Sequence, residues 1–223
     1  MDHCCAMLKE QFPEVDGLQR MSVFESIGGQ RIGTPVGKFI QILLVGSHWV
    51  MVSNIDCTAD QVRVYDSIYR RTPKPYRNKF VAQIAWLCHV SEAFFELQWP
   101  DLQTQKGNKD CGLFAIANAV ALCCGQKPEE CAWDQPKMRK HLTNCIESDN
   151  LTMFPLLQTG TRRHKAIINT ERVEVFCTCR QPNDRNLPMA ECETCKEWYH
   201  KKCEAMPWPI RKGTTFVCRR CQK

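Results

Sequence analysis

No apolar run in the 223 residues approaches the ~20 that a membrane-spanning helix needs, so no membrane segment is expected. The amino end lacks the charged start and apolar stretch of an export signal. Repeats and low-complexity tracts are missing too, which leaves globular domains, and the length suits one medium domain and one small one. Cysteine is not scarce: there are 16, a count that by itself suggests secretion. Nine of them (Cys4, Cys5, Cys57, Cys88, Cys111, Cys123, Cys124, Cys131 and Cys145) have no framework spacing and are odd in number. A reducing setting, nuclear or cytosolic, is therefore expected.

The other seven cysteines, with one histidine, fill the last quarter at ligand spacing. The order is Cys177-x-Cys179, Cys192-x2-Cys195, His200-x2-Cys203, Cys218-x2-Cys221. A tetrahedral zinc site takes four thiolate or imidazole ligands, and a short pair lets one tight turn supply two of them. Eight ligands thus imply two structural zinc ions. The stretch from Phe176 to Lys223 is too short for a large apolar core, so metal is expected to supply most of its folding energy. Disulfides are the alternative, and the spacing and the missing export signal oppose them.

Four cysteines, then histidine, then three cysteines resembles a PHD finger; a RING finger normally has its histidine one ligand earlier. Trp198, two residues before His200, and the closing "FVCRRC" strengthen the resemblance, which spans the whole region. It implies cross-bracing: Cys177, Cys179, His200 and Cys203 on one zinc, and Cys192, Cys195, Cys218 and Cys221 on the other.

Charge is divided unevenly. Residues 158–223 hold 14 Lys+Arg against 7 Asp+Glu, +7, and residues 1–157 hold 16 against 17, −1, which sum to +6. Seven thiolates and two zinc ions change the tail by −7 and +4, leaving about +4. Such a field permits non-specific contact with nucleic acid without demanding it.

Along the chain, "HCCAMLKEQFP" predicts an amphipathic helix stopped at Pro13. Residues 38–46, 49–55, 61–66 and 93–98 predict strands. Helices are expected over 76–90, where Phe80, Ile84, Leu87 and Cys88 recur at helical period, over 111–125, ended by Gly125, and over 135–148, with Pro136 near its start. Cys123, Cys124 and Cys145 are expected as small core residues. The domain organisation is an α+β domain over 1–156, a basic linker over 157–173 carrying "TGTRRHK", and the finger over 174–223.

Within the first domain, "QKGNKDCGLFAIANA" puts Cys111 at a helix start, where the positive helix end favours the thiolate. His48 precedes one predicted strand and Asp66 ends the next. Antiparallel neighbours of that kind could set imidazole beside carboxylate, which fixes the tautomer while the other ring nitrogen faces the thiol. Gln105, six residues before Cys111, could supply an N–H to an oxyanion hole completed by the Cys111 backbone. Gln103 has the wrong offset for that role. Asp66 could instead cap a turn, and Trp49 could be core.

The order His, Asp, Gln, Cys, with "HW", "YDS" and "DCG", resembles the ubiquitin-like-protein-specific proteases, the SUMO/sentrin proteases and their viral relatives, over roughly residues 1–156. Papain-like enzymes proper run Cys, His, Asn. The resemblance implies a papain-like/adenain-like α+β fold with a small cross-braced two-zinc PHD finger behind it. It also implies a His48–Asp66–Cys111 triad, Gln105 in the oxyanion hole, and Trp49 over a tunnel that admits a terminal Gly-Gly. Family members usually carry a "WL-N/T-D" segment before the first helix; here the chain starts inside that helix, so a fragment or truncated product with altered gating is expected.

Phe176, Met189 and Trp198 stand where PHD fingers that bind trimethyl-lysine near the start of histone H3 hold an aromatic, a methionine and a tryptophan. A quaternary ammonium is drawn to π faces, so the resemblance implies a methyl-lysine half-cage. Glu191, Glu193 and Glu197 add acid for a basic tail, with Glu193 near the family's arginine contact. Trp198 alone could serve folding. The expected function is a nuclear cysteine isopeptidase that removes a ubiquitin-like, SUMO-like modifier at methylated chromatin. The alternatives are a catalytically inactive reader and a mobile-element protein with a viral-type processing protease.

Overall fold

The period-two apolar pattern of residues 38–66 becomes the centre of a six-stranded sheet. The computed structural model describes all residues except 21–34, 72–76, 89, 91, 158–166, 185–186, 205, 207–208, 210–214 and 223. Strands β1 (Asp16–Gly17), β2 (Phe39–Val45), β3 (His48–Ser53), β4 (Gln61–Tyr65), β5 (Phe94–Trp99) and β6 (Asn169–Glu174) lie side by side in that order. β1 runs parallel to β2 and β4 parallel to β5; the other neighbours are antiparallel.

Both faces of the sheet are covered, so its strands alternate between two cores rather than between core and water. Ile40 and Ile42 of β2, Met51 of β3 and Tyr65 of β4 join one core with helices α1 (Asp2–Gln11), α3 (Cys111–Cys123) and α4 (Gln135–Glu147). Phe39, Leu43, Val50, Val52, Val62 and Val64 join the other, under helix α2 (Arg77–Leu87). The arrangement is a helix–sheet–helix sandwich, an α+β domain.

Helix α3 is buried almost all round, from Leu113 to Leu122, which explains a sequence apolar on every side. Each fully buried Leu, Ile, Phe or Val here contributes roughly 1.5–3 kcal/mol of transfer free energy, so the helix is anchored far more firmly than its propensity alone provides. Gly125, at a φ of +70°, ends it, with the Gln126 N–H reaching back to the Ala121 carbonyl at 2.8 Å. Of the three cysteines expected in the core, Cys145 is buried, Cys123 is half-buried and Cys124 is exposed. Cys124 follows the last helical residue, where the chain leaves the core.

At the opposite edge, Gly17 (φ +85°) lets β1 approach β2; a side chain there would stand inside the Ile40 carbonyl.

The expected linker needs correction. Residues 158–166, with the "TGTRRHK" run, lie outside the described residues, but Asn169–Glu174 form β6, paired with β5 over six positions. An edge strand needs little apolar pattern, because only one face is buried, and here Val173 supplies it. The Arg77 guanidinium binds Glu171, and Arg172 stacks 3.6 Å above the Phe94 ring. The charges on β6 also discourage further strand addition. The Val175 N–H extends the ladder to the Ala93 carbonyl at 2.9 Å, so the sheet runs to within two residues of Cys177.

The finger has a hairpin, β7 (Met189–Glu191) with β8 (Trp198–His200), and a core of seven buried residues, three of them cysteines.

Candidate functional site

Two clusters of ligand atoms form in the finger, and their membership is the cross-braced one. Cys177, Cys179, His200 and Cys203 make the first, Cys192, Cys195, Cys218 and Cys221 the second, with the ligand atoms of each within 4.8 Å of one another. A Zn–S bond of about 2.3 Å sets S···S edges near 3.8 Å in a tetrahedron. The Cys195–Cys218 sulfurs stand 3.9 Å apart, and Cys179 Sγ lies 3.3 Å from His200 Nδ1, so the donor sets fit zinc. Nδ1 is therefore the histidine's ligand atom. The Cys218 N–H points at the Cys192 sulfur at 3.3 Å, and Arg220 donates to the Tyr199 hydroxyl, itself 3.7 Å from Cys195 Sγ. Such outer contacts offset the charge of a four-thiolate site.

The hairpin places part of the expected cage. Met189 pairs with His200 and Glu191 with Trp198, while Ala190 and Tyr199 turn inward. Met189 and Trp198 thus lie diagonally on one face of the hairpin, within reach of one ligand group. Trp198 is 43% exposed, unusual for so large an apolar ring unless it has a partner to meet. Phe176 is half-buried, directly before the first ligand, and Glu193 is exposed.

In the first domain, the antiparallel β3–β4 pair carries His48 and Asp66 to the same end of the sheet. His48 Nε2 donates to Asp66 Oδ1 at 2.7 Å, with both residues buried. The same oxygen accepts the Ile68 and Tyr69 N–H groups at 2.8 and 2.9 Å, so Asp66 also caps the turn that follows β4. Holding the histidine ring and capping the turn are one arrangement here, not alternatives. The Tyr69 ring stands edge-on to His48, centroids 5.5 Å apart.

Cys111 is 7% exposed at the first residue of α3. Trp49 lies against the same turn: a Cβ built on Gly112 would meet its Cδ1 at 3.4 Å, and the Met1 side chain at the same distance. His48 Nδ1 is buried with no hydrogen-bond partner among the described residues, so the thiol and imidazole are not joined in this structure.

Gln105 is held inside its loop. Its carbonyl oxygen accepts from the Ser67 hydroxyl at 2.7 Å, its Nε2 donates to the Gly107 carbonyl at 3.0 Å, and its own N–H donates to the Ser67 carbonyl at 2.9 Å. One amide hydrogen remains for another acceptor. Gln103 is committed elsewhere, in a reciprocal pair with the Trp133 backbone at 2.6 and 3.1 Å. The sequence singled out neither Ser67 nor Tyr69; Ser67 lay in plain view as the residue after Asp66 in "YDS".

Burial raises several of the other thiols of this domain. It pushes the Cys5 and Cys123 thiols up to about 12 and Cys131 up to about 11, and raises Cys4 and Cys57 as well. These groups stay protonated at neutral pH and act as small apolar residues.

Comparison with known proteins bears on the finger. Residues 177–221 match the family described as PHD-finger. "Chromatin remodeling protein EBS" of Arabidopsis thaliana is 40% identical over 52 residues, 23% of this chain and 22% of that protein. "Chromatin remodeling protein SHL" of the same plant is 36% identical over 52 residues, 23% of each chain. "Lysine-specific demethylase 7A" of Mus musculus is 55% identical over 29 residues, 13% of this chain and 3% of that protein. The chain thus spans less than a quarter of the length of these relatives, and the carboxy-terminal segment is a PHD finger that follows an α+β region.

Proposed function

We propose that this chain is a cysteine isopeptidase that releases a ubiquitin-like modifier, and that its PHD finger tethers it to methylated chromatin in the nucleus. The observation that carries the enzyme is the buried 2.7 Å His48–Asp66 pair at the sheet end, with the next residue, Trp49, lying against Gly112 at the helix start that bears Cys111.

In the proposed cycle, Nε2–H on Asp66 leaves Nδ1 as the nitrogen that takes the Cys111 proton. The thiolate attacks the carbonyl of the modifier's last glycine, and the Cys111 N–H, with Gln105, holds the oxyanion. Imidazolium then protonates the departing lysine amine, leaving a thioester. His48 next deprotonates a water that attacks the thioester; the carboxylate leaves and the proton returns to sulfur. Trp49, against Gly112, restricts the approach to residues without side chains. The test is covalent labelling by a panel of modifiers carrying a C-terminal electrophile, beside Cys111→Ala. Labelling by one modifier, lost in the variant, supports the enzyme; no labelling of a folded protein rejects it.

The reader half is supported by the PHD relatives, two named as chromatin remodelling proteins and one as a lysine demethylase, and by the exposed Trp198 diagonal to Met189. A desolvated cation–π contact contributes on the order of 0.5–2 kcal/mol. Trp198→Ala, with zinc retained, is expected to weaken binding of a trimethylated H3 peptide by about 3- to 30-fold while leaving the unmethylated peptide nearly unchanged. Equal binding by variant and wild type in a calorimetric titration would rule out the cage.

A second reading has an observation of its own. His48 Nδ1 has no hydrogen-bond partner among the described residues, which suits a catalytically silent domain that only holds a modifier. Modifier binding without labelling would favour it.

A further inference from the structure

The residue beside the nucleophile poses an electrostatic problem. Asp110 is the N-cap of α3, yet its side chain caps nothing in that helix. An Asp at this position normally turns its carboxylate onto the first free N–H groups. Doing so here would set a negative charge against the thiolate that Cys111 must become, and fill the helix end that an oxyanion needs.

Instead the carboxylate is drawn onto the next helix. Arg139 of α4 donates to Asp110 Oδ1 at 2.6 Å, and Gln135 Nε2 to Oδ2 at 2.7 Å. Gln135 also pairs with the loop before the cysteine: its Oε1 accepts the Lys106 N–H at 2.8 Å, and its Nε2 reaches the Lys106 carbonyl at 2.9 Å. One glutamine therefore ties together the loop that carries Gln105 and the residue that precedes Cys111. With the Gln103–Trp133 pair, the loop is fastened to the segment from Trp133 to Arg139 at both ends.

We infer that Gln135 and Arg139 are positioning residues, which hold Asp110 away from the α3 start and so keep the Cys111 thiol ionisable and the oxyanion site open. The inference rests on the isopeptidase proposed above, but it concerns a property of Cys111 that can be read without any modifier. Among the described residues, the charged or titratable groups on the segments that meet the α3 start are His48 and Asp66 at the sheet end, Lys106 and Lys109 in the preceding loop, and the amino end of Met1, whose side chain reaches Gly112. None of them bonds Asp110 among the described contacts.

The experiment is the pH dependence of Cys111 alkylation by iodoacetamide, followed by mass on the Cys111 peptide so that the other cysteines do not interfere. Iodoacetamide reacts with the thiolate, so the midpoint tracks ionisation. Arg139→Met leaves the Asp110 carboxylate held by Gln135 alone, with Oδ1 released toward the α3 start, and the midpoint is expected to rise by about half to one pH unit, which slows alkylation below the midpoint about three- to tenfold. Adding Asp110→Asn to Arg139→Met removes the charge and restores the wild-type midpoint; Arg139→Lys restores it in part. A merely structural role predicts no such rescue. An unmoved midpoint in Arg139→Met, or a raised midpoint that Asp110→Asn fails to restore, overturns the inference. A raised and rescued midpoint in a protein that releases no modifier upholds it while rejecting the enzyme.

Discussion

His48→Ala is expected to lower the release of a fluorogenic C-terminal amide from the cognate modifier by about 10⁴-fold in kcat, with KM changed little. The histidine moves every proton in the proposed cycle and touches the substrate only in the transition state, so its loss falls on kcat. Asp66 offers a finer test. Its Oδ1 accepts from His48 and from two backbone N–H groups, leaving Oδ2 outside those three bonds. An asparagine can keep its carbonyl oxygen in that place, with the tautomer and turn intact, and loses only the charge opposite the imidazolium. Asp66→Asn is therefore expected to cost less than Asp66→Ala, which also abandons the turn and the ring orientation and is expected to cost about 10⁴-fold. Equal losses in the two Asp66 variants would show that the charge, not the orientation, dominates. His48→Ala with near-wild-type turnover would eliminate the proposed mechanism.

Removing zinc is expected to unfold the finger and spare the first domain. Among the described residues the finger's core holds seven buried residues, and Cys177, Cys192 and Cys218 are three of them, so that core depends heavily on ligation. A structural zinc site contributes about 10–16 kcal/mol of apparent binding free energy, more than such a core can replace. Among the described residues, the two cores of the first domain take in nothing from the finger beyond Val175, two positions before its first ligand. Chelation, or Cys192→Ala, is expected to abolish H3-peptide binding and the finger's hydrogen-exchange protection, while iodoacetamide still reports the wild-type Cys111 midpoint. β6 is the link to watch. It joins the sheet through its own ladder and the Arg77–Glu171 pair, so its amides are expected to stay protected up to Val175. A finger that melts cooperatively after chelation would contradict the primacy of metal. Exchange spreading through β5 would show that the two parts fold as one.

Much of this molecule is legible in the sequence because its signals are local. Strand and helix periods placed several elements to within a residue or two, such as residues 61–66 against β4, 111–125 against α3 and 135–148 against α4, while the helix expected over 76–90 ends at Leu87 and β1 was not foreseen. The zinc ligands stand in pairs two or three residues apart, and a knuckle turn needs nothing from the rest of the chain. β6 was hidden for the opposite reason. A charged edge strand with one buried residue looks like linker until its partner, 70 to 80 positions earlier (Trp99 opposite Asn169, Phe94 opposite Glu174), is known.

By itself, then, the sequence determined the identity of the chemistry: which residues can bind zinc, which cysteine begins a helix, and that a histidine and an aspartate end neighbouring strands. The tertiary structure alone decided where the charges go. It joined His48 to Asp66 through the β3–β4 register, gave Gln103 and Gln105 different tasks, and drew Asp110 onto Gln135 and Arg139, residues 25 and 29 positions away. Periodicity records which face of an element is apolar. It carries no information on which polar groups from distant segments meet, because that depends on helix packing and strand register, and these are settled only when the cores close.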